Sequence, residues 1–157
     1  MTEQYDLAAW RHQGTADHLL NNSEFDDAGY HYGIVGENAL KHAMRISGIE
    51  AHFLANPPRG RNGRRQSGDP LRGTPLRGHF PSLQTLAQRA QQVVSLYATG
   101  RVATSLQTEI GSANFSMRFQ NWNIDIRYAS TTCTPVSETA CNAWKKDAED
   151  LILSLVI

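Results

Sequence analysis

The chain has 157 residues, with 15 Lys/Arg against 15 Asp/Glu, 40% hydrophobic and 19% charged, the make-up of one globular domain with a single core. No run approaches membrane-spanning length, the opening MTEQYDLAAWRHQG holds no apolar stretch of signal-peptide type, and two cysteines, Cys133 and Cys141, lack zinc-ligand company. Composition thus excludes a transmembrane helix and a disulfide framework, and the expectation is a single cytoplasmic domain over 1–157 with no cofactor and no metal.

In chain order, DLAAWRHQGTADHLLNN sets Leu7, Trp10, Gly14 and Leu19/Leu20 at helical spacing, which predicts a helix near 5–21. DDAGYHYGIVGENALKHAMRISG carries the stripe Ala28, Tyr32, Val35, Ala39, Ala43, widened by Leu40 and Met44, and Gly48 is a natural stop, so a helix is predicted near 26–47. That helix holds Gly29, Gly33 and Gly36 on one side although each costs roughly 1 kcal/mol relative to alanine, a face that a neighbouring helix can approach closely. Glu37 and Lys41 are four apart in the favoured order and read as a surface ion pair worth ~0.3–0.5 kcal/mol. PSLQTLAQRAQQVVSLYATG, with Leu83, Leu86, Ala90, Val93 and Tyr97, predicts a helix near 82–99 ended by Gly100. NWNIDIRY alternates Trp122, Ile124 and Ile126 as a short strand would. Thr134 as N-cap and Pro135 at the first helical position start a last helix near 135–156, with the stripe Val136, Ala140, Trp144, Ala148, Leu151, Leu155. The fold class is all-α, an antiparallel bundle of four or five helices.

Between the second and third helices lies PPRGRNGRRQSGDPLRGTPLRGH, residues 57–79, where six arginines (Arg59, Arg61, Arg64, Arg65, Arg72, Arg77) face one aspartate, a net +5. The remaining residues carry 9 Lys/Arg against 14 Asp/Glu, so the neutral total is a cancellation between unlike parts. Gly and Pro at this density preclude a helix, and a flexible, solvated arm of arginines suits single-stranded or irregular RNA. The alternative is a spacer whose charge balances an acidic body.

The stretch YDLAAWRHQGTADHLLNNSEFDDAGYHYGIVGENALKHAM resembles the first two helices of HEPN domains, through Ala28, Gly29, Tyr30, Gly33, Glu37, Leu40 and Lys41. HFPSLQTLAQ (His79, Leu83, Leu86) is similar to the opening of the family's third helix, and IRYAS (Arg127, Tyr128) to its Arg-Tyr before the last helix. The resemblance implies a helical bundle, commonly a homodimer, that binds or cuts RNA or partners a nucleotidyltransferase in bacterial or phage toxin–antitoxin and defence systems.

The family's metal-independent endoribonucleases use an arginine, four to six residues, then a histidine, a pairing in which the histidine moves the ribose 2′-OH proton while the arginine holds the phosphate. No histidine follows Arg127 in YASTTCTPVSETACNAW. Arg11–His18 and Arg45–His52 fit the spacing but lie in the N-terminal third. Candidate catalytic residues are therefore Arg45, His52, Arg127 and Tyr128, with Arg127 read first as a structural donor to a helix end. His12, His18, His31 and His42 read as hydrogen-bonded bundle histidines, and Asp27 with His31 makes no recognisable metal spacing. The leading expectation is a HEPN-like RNA- or nucleotide-binding or partner-regulating homodimer without nuclease activity. The alternatives are a ribonuclease toxin with a displaced Arg/His pair and a purely structural interaction bundle.

Overall fold

The computed structural model describes residues 4–59, 68–128 and 135–157, and every regular element among them is helical. Helices α1 (Tyr5–Asn21) and α2 (Phe25–Ile46) form a hairpin, and α3 (Ile49–Ala55) follows at once. Three short helices come next, α4 (Ser82–Arg89), α5 (Gln91–Tyr97) and α6 (Ala103–Gly111), before α7 (Glu138–Leu155) returns to the hairpin. Single 3-10 turns occupy Pro75–Arg77, Phe115–Met117 and Ile124–Tyr128. The described residues thus hold seven α-helices where four or five were expected.

The turn between α1 and α2 is tight, with Ser23 at φ 61°. Cross-pairs along the hairpin (Asp17 with Tyr32, His12 with His31, Asp6 with His42) show that the two helices run antiparallel. α7 differs. Its approach, Val136, meets Asp26 and its Trp144 meets Gly29, both near the start of α2, while Lys145 meets Asp17 near the end of α1. α7 therefore runs parallel to α2 and antiparallel to α1, which corrects the wholly antiparallel bundle expected. Parallel neighbours cannot be joined by a short loop, and residues 47–137 form the long crossover in which α3 to α6 are built.

α2 is enclosed on nearly all sides, with Ala28, Tyr32, Val35, Ala39, Leu40, Ala43 and Met44 all shut off from solvent, as expected of the central helix of a core. Its glycines explain how neighbours fit around it. A Cβ on Gly33 would overlap the Trp122 indole, one on Gly36 would overlap the Phe119 ring, and one on Gly29 would stand 2.7 Å from Trp144. The glycine face thus receives three aromatic rings from elsewhere in the chain, not the backbone of another helix. Trp122 is locked in place because its Nε1–H donates to Gly29 O at 2.8 Å. Phe119 stacks on Phe80 with centroids 4.8 Å apart.

Several local expectations change for identifiable reasons. The helix predicted over 82–99 breaks at Ala90, whose N–H is shared between Leu86 O and Ala87 O. NWNIDIRY is a turn and not a strand: Asn123 Oδ1 accepts the Asp125 N–H at 2.8 Å, a side-chain turn that coils the backbone into the 3-10 segment. α7 starts at Glu138 because Ser137 caps it, its Oγ accepting from Ala140 N at 3.1 Å; Pro135 precedes that cap, and Thr134 lies outside the described residues. Glu37 and Lys41 do not form a surface pair, since both are buried.

The basic segment is no solvated arm along its whole length. Arg61, Arg64 and Arg65 lie outside the described residues, but residues 68–78 fold onto the body. Leu71 and Leu76 join the core. Asp69 accepts from Leu71 N–H at 2.9 Å through one carboxylate oxygen and from Arg77 Nε through the other. Two buried leucines supply the apolar area that holds a Gly/Pro-rich stretch against the bundle.

The glycine sockets give a test with two signs. Gly33→Ala should lower the free energy of urea unfolding by about 1–3 kcal/mol, overpacking outweighing the ~1 kcal/mol gain in helix propensity. Gly14→Ala, where an added Cβ meets nothing within 4 Å, should raise it by up to about 1 kcal/mol.

Candidate functional site

The most unusual backbone in the described chain is the turn leading from the Phe115–Met117 segment to Tyr128. Phe119 and Asn121 both take left-handed conformations, at φ 52° and 64°. For a bulky phenylalanine this costs on the order of 1–2 kcal/mol, so the surroundings must enforce it. They do so with polar contacts from two helices, α4 and α7. Gln84 Nε2 donates to Phe115 O at 2.8 Å and Arg118 O at 2.7 Å, Asp147 Oδ2 accepts the Phe119 N–H at 2.8 Å, and Trp144 Nε1 donates to Gln120 O at 3.0 Å.

Arg118 is the charged centre of this clamp. Its guanidinium reaches Glu109 at 3.0 Å, Asp147 at 3.1 Å and Asp150 at 2.9 Å. Partial burial works against its charge, but hydrogen bonds to Glu109, Asp150 and Asp147 outweigh that and push the guanidinium's pKa up. Nothing in the sequence singled out Arg118, whose partners are scattered between positions 109 and 150.

Beneath the turn, between it and the approach to α7, opens a cleft of about 510 Å³, within the size range of small-ligand sites. Ile126, Val136 and Trp144 form apolar walls, and Asn121, Asn123, Asp125 and Asp26 bring amides and carboxylates to its edge. No Lys, Arg or His lines it among the described residues. Asp26 Oδ1 accepts the Val136 N–H at 2.6 Å and so ties the two sides together. The Asp125 carboxylate is exposed, with no hydrogen bond or ion pair among the described residues. Next in the chain after the lining residue Ile126, Arg127 lies over the Tyr128 ring at 4.5 Å, and both side chains are exposed. Arg127 makes no hydrogen bond to a helix end among the described residues, where its contact is with the Tyr128 ring.

The other sequence candidates do not gather here. Arg45 pairs with Glu50 and lies over the Tyr5 ring at 4.7 Å. His52 stacks on Tyr97 with centroids 4.1 Å apart. The buried Glu37 carboxylate accepts from Phe80 N at 2.9 Å, meets His79 Nδ1 at 2.8 Å and stands 3.6 Å from Lys41 Nζ; it pins the entry to α4 onto α2, a structural duty. Arg77 is paired with Asp69, while Arg59 and Arg72 are exposed. Cys141 is buried, and burial pushes its thiol up to about 11, which leaves it without thiolate reactivity.

Along the α1–α2 seam, Asp17 accepts from Tyr32 Oη at 2.7 Å and from Lys145 Nζ at 2.8 Å. Burial would raise its pKa, but the Lys145 and Tyr32 hydrogen bonds prevail and lower it. His12 and His31 face each other Nδ1 to Nδ1 at 2.7 Å, so one donates and the other accepts. Burial, then the His31 charge and then Arg11 lower the His12 pKa to about 4. His31 is also lowered by burial, against an opposing pull from Asp27.

No protein-family model matches the chain, and neither a curated protein nor a solved structure is similar to it. The HEPN resemblance stands on its motif residues alone. No helix among the described residues is long and apolar enough to cross a membrane.

The histidine pair sets a pH dependence. The unfolded chain protonates His12 below its ordinary value of 6.5, whereas the folded chain resists until about 4, so stability is complete above that window and falls as pH drops through it. Thermal unfolding between pH 7 and 4 should show the decline, and His12→Gln should flatten it, whereas the Asp17 contribution is lost mainly as pH falls below its ordinary 3.8.

Proposed function

We propose that the chain is a HEPN-like RNA-binding module that does not cleave its ligand. The observation that carries the reading is the exposed Arg127–Tyr128 stack, which follows directly in the chain on the cleft-lining Asp125 and Ile126. A planar cation lying on a solvent-facing ring can neutralise a phosphate while the ring or the guanidinium plane receives a base, a combination suited to single-stranded RNA. Exposed Arg59 and Arg72, with the sequence charge of the 57–79 segment, supply further cations.

Two features favour binding over catalysis. A general base must reach the proton it moves, but His52 is stacked on Tyr97 and Arg45 is occupied by Glu50. The displaced Arg/His nuclease is thereby the weaker reading. In the toxin–antitoxin or defence setting that the resemblance implies, such a module would hold RNA for, or regulate, a partner such as a nucleotidyltransferase.

The homodimer belongs to the same proposal, on a face other than the α2 glycines or the buried side of the apolar C-terminus. The glycines of α2 are covered internally, and of the C-terminal LILSLVI, Leu151, Ile152 and Leu155 serve the chain's own core. Trp10 and Leu153 remain exposed on either side of a groove between α1 and α7. That groove is where twofold pairing is proposed.

Filter binding of a single-stranded RNA measures the main reading. The double variant Arg127→Ala with Tyr128→Ala should weaken binding about tenfold, a typical loss for one stacked base, with thermal stability unchanged. Glutamine at Arg59 and Arg72 should make the salt dependence shallower by roughly 0.7 in log–log slope for each phosphate that is no longer neutralised. Wild-type affinity in the double variant would refute the reading. For the assembly, light scattering should give a dimer mass that Trp10→Ala with Leu153→Ala halves.

A further inference from the structure

Resting on the RNA-binding reading, we propose that the cleft beneath the 119–128 turn holds one unstacked base of the bound strand and selects guanine. The cleft is large enough for a purine at about 510 Å³, and its walls, Ile126 and Val136 with the edge of Trp144, are apolar surfaces on which a planar ring can lie. Its polar rim is short of cationic groups and rich in acceptors.

The phosphate cannot be the part that enters. Asp26 and Asp125 line the cleft with no Lys or Arg beside them among the described residues, and carboxylates repel a phosphodiester. A neutral base enters while its backbone stays outside, where Arg127 sits two residues beyond Asp125 on the same 3-10 turn. Tyr128, exposed next to it, is placed to take the neighbouring base.

The edge chemistry then chooses the base. Asp26 already spends one oxygen on the Val136 N–H, which leaves Asp125 as the carboxylate with both oxygens open to a ligand. Guanine alone among the common bases presents two adjacent donors, N1–H and N2–H, to a single carboxylate. Asn123 uses its carbonyl oxygen on the Asp125 N–H, so its amide nitrogen is the group left to donate, and guanine O6 and N7 are acceptors suited to it and to Asn121. Adenine offers one donor flanked by an acceptor. Uracil sets its single donor between two carbonyls that a carboxylate repels.

The test uses the full chain and three labelled RNA octamers: all-uridine, uridine with one central guanosine, and uridine with one central adenosine. Fluorescence anisotropy should show the guanosine octamer binding about tenfold more tightly than the other two, the discrimination of a bidentate contact. Asp125→Asn, a change on an exposed side chain, should abolish the preference, so that the guanosine octamer binds no more tightly than the all-uridine octamer to the same variant. Equal wild-type binding of all three octamers would overturn the guanine site while RNA binding stands. A guanosine preference that survives Asp125→Asn would overturn it as well. Binding to none of them would remove the RNA reading beneath it.

Discussion

Three rings from two segments meet α2 where Gly29, Gly33 and Gly36 leave its backbone bare, and the arrangement around the candidate site depends on those contacts. Trp122 and Phe119 belong to the strained turn, and Trp144 to α7, so the central helix grips the turn and the last helix through the same face. Each glycine weakens α2 by about 1 kcal/mol in isolation. The large aromatic surface buried in return outweighs that loss. The indole N–H groups make the fit directional, because Trp122 donates to Gly29 O and Trp144 to Gln120 O. With those anchors set, the backbone between them has little freedom, and Asn121 is held in a conformation that asparagine tolerates better than most residues.

α1 and α2 were legible in the sequence to within a residue at each end, because long apolar stripes ended at Asn21-Asn22 and Gly48. Legibility failed where the deciding partner was remote. Ala90 carries no breaker chemistry, yet the helix divides there, and α6 has only Leu106 and Ile110 as deep core residues, too few to stand out as a stripe. The alternation of Trp122, Ile124 and Ile126 imitated a strand, but Asn123 coils the backbone and no second strand exists among the described residues to receive it. The repeated Pro-Leu-Arg-Gly of 70–73 and 75–78 is conspicuous for its arginines; its leucines are what the fold uses. At the site, Arg127 and Tyr128 were visible as a motif. Asp125 and the two asparagines became meaningful only once a long crossover brought them opposite Asp26 and Trp144.

The distribution of charge separates two kinds of ionic group. Glu37, Asp17 and Arg118 are engaged by multiple partners in partly or fully desolvated places, and each fixes one element against another. Removing one partner from such a cluster leaves a charge stranded, which costs far more than the cluster contributes relative to an apolar substitute. Arg59, Arg72 and Arg127 stand in water instead, where ion pairs contribute little to stability. Cations of this second kind can be changed by selection for a ligand with little penalty to the fold.

The parallel course of α2 and α7 also has a kinetic consequence. The α1–α2 hairpin closes over a loop of a few residues, whereas the indole of Trp122 must find the carbonyl of Gly29 across 93 positions of chain. Loop-closure entropy delays contacts of such separation and slows folding relative to bundles of purely local topology. The hairpin is thus expected to form first with its glycine face uncovered, and the rings to dock late. If those docking contacts are absent from the transition state, strengthening them would extend the lifetime of the folded state more than it would quicken its formation.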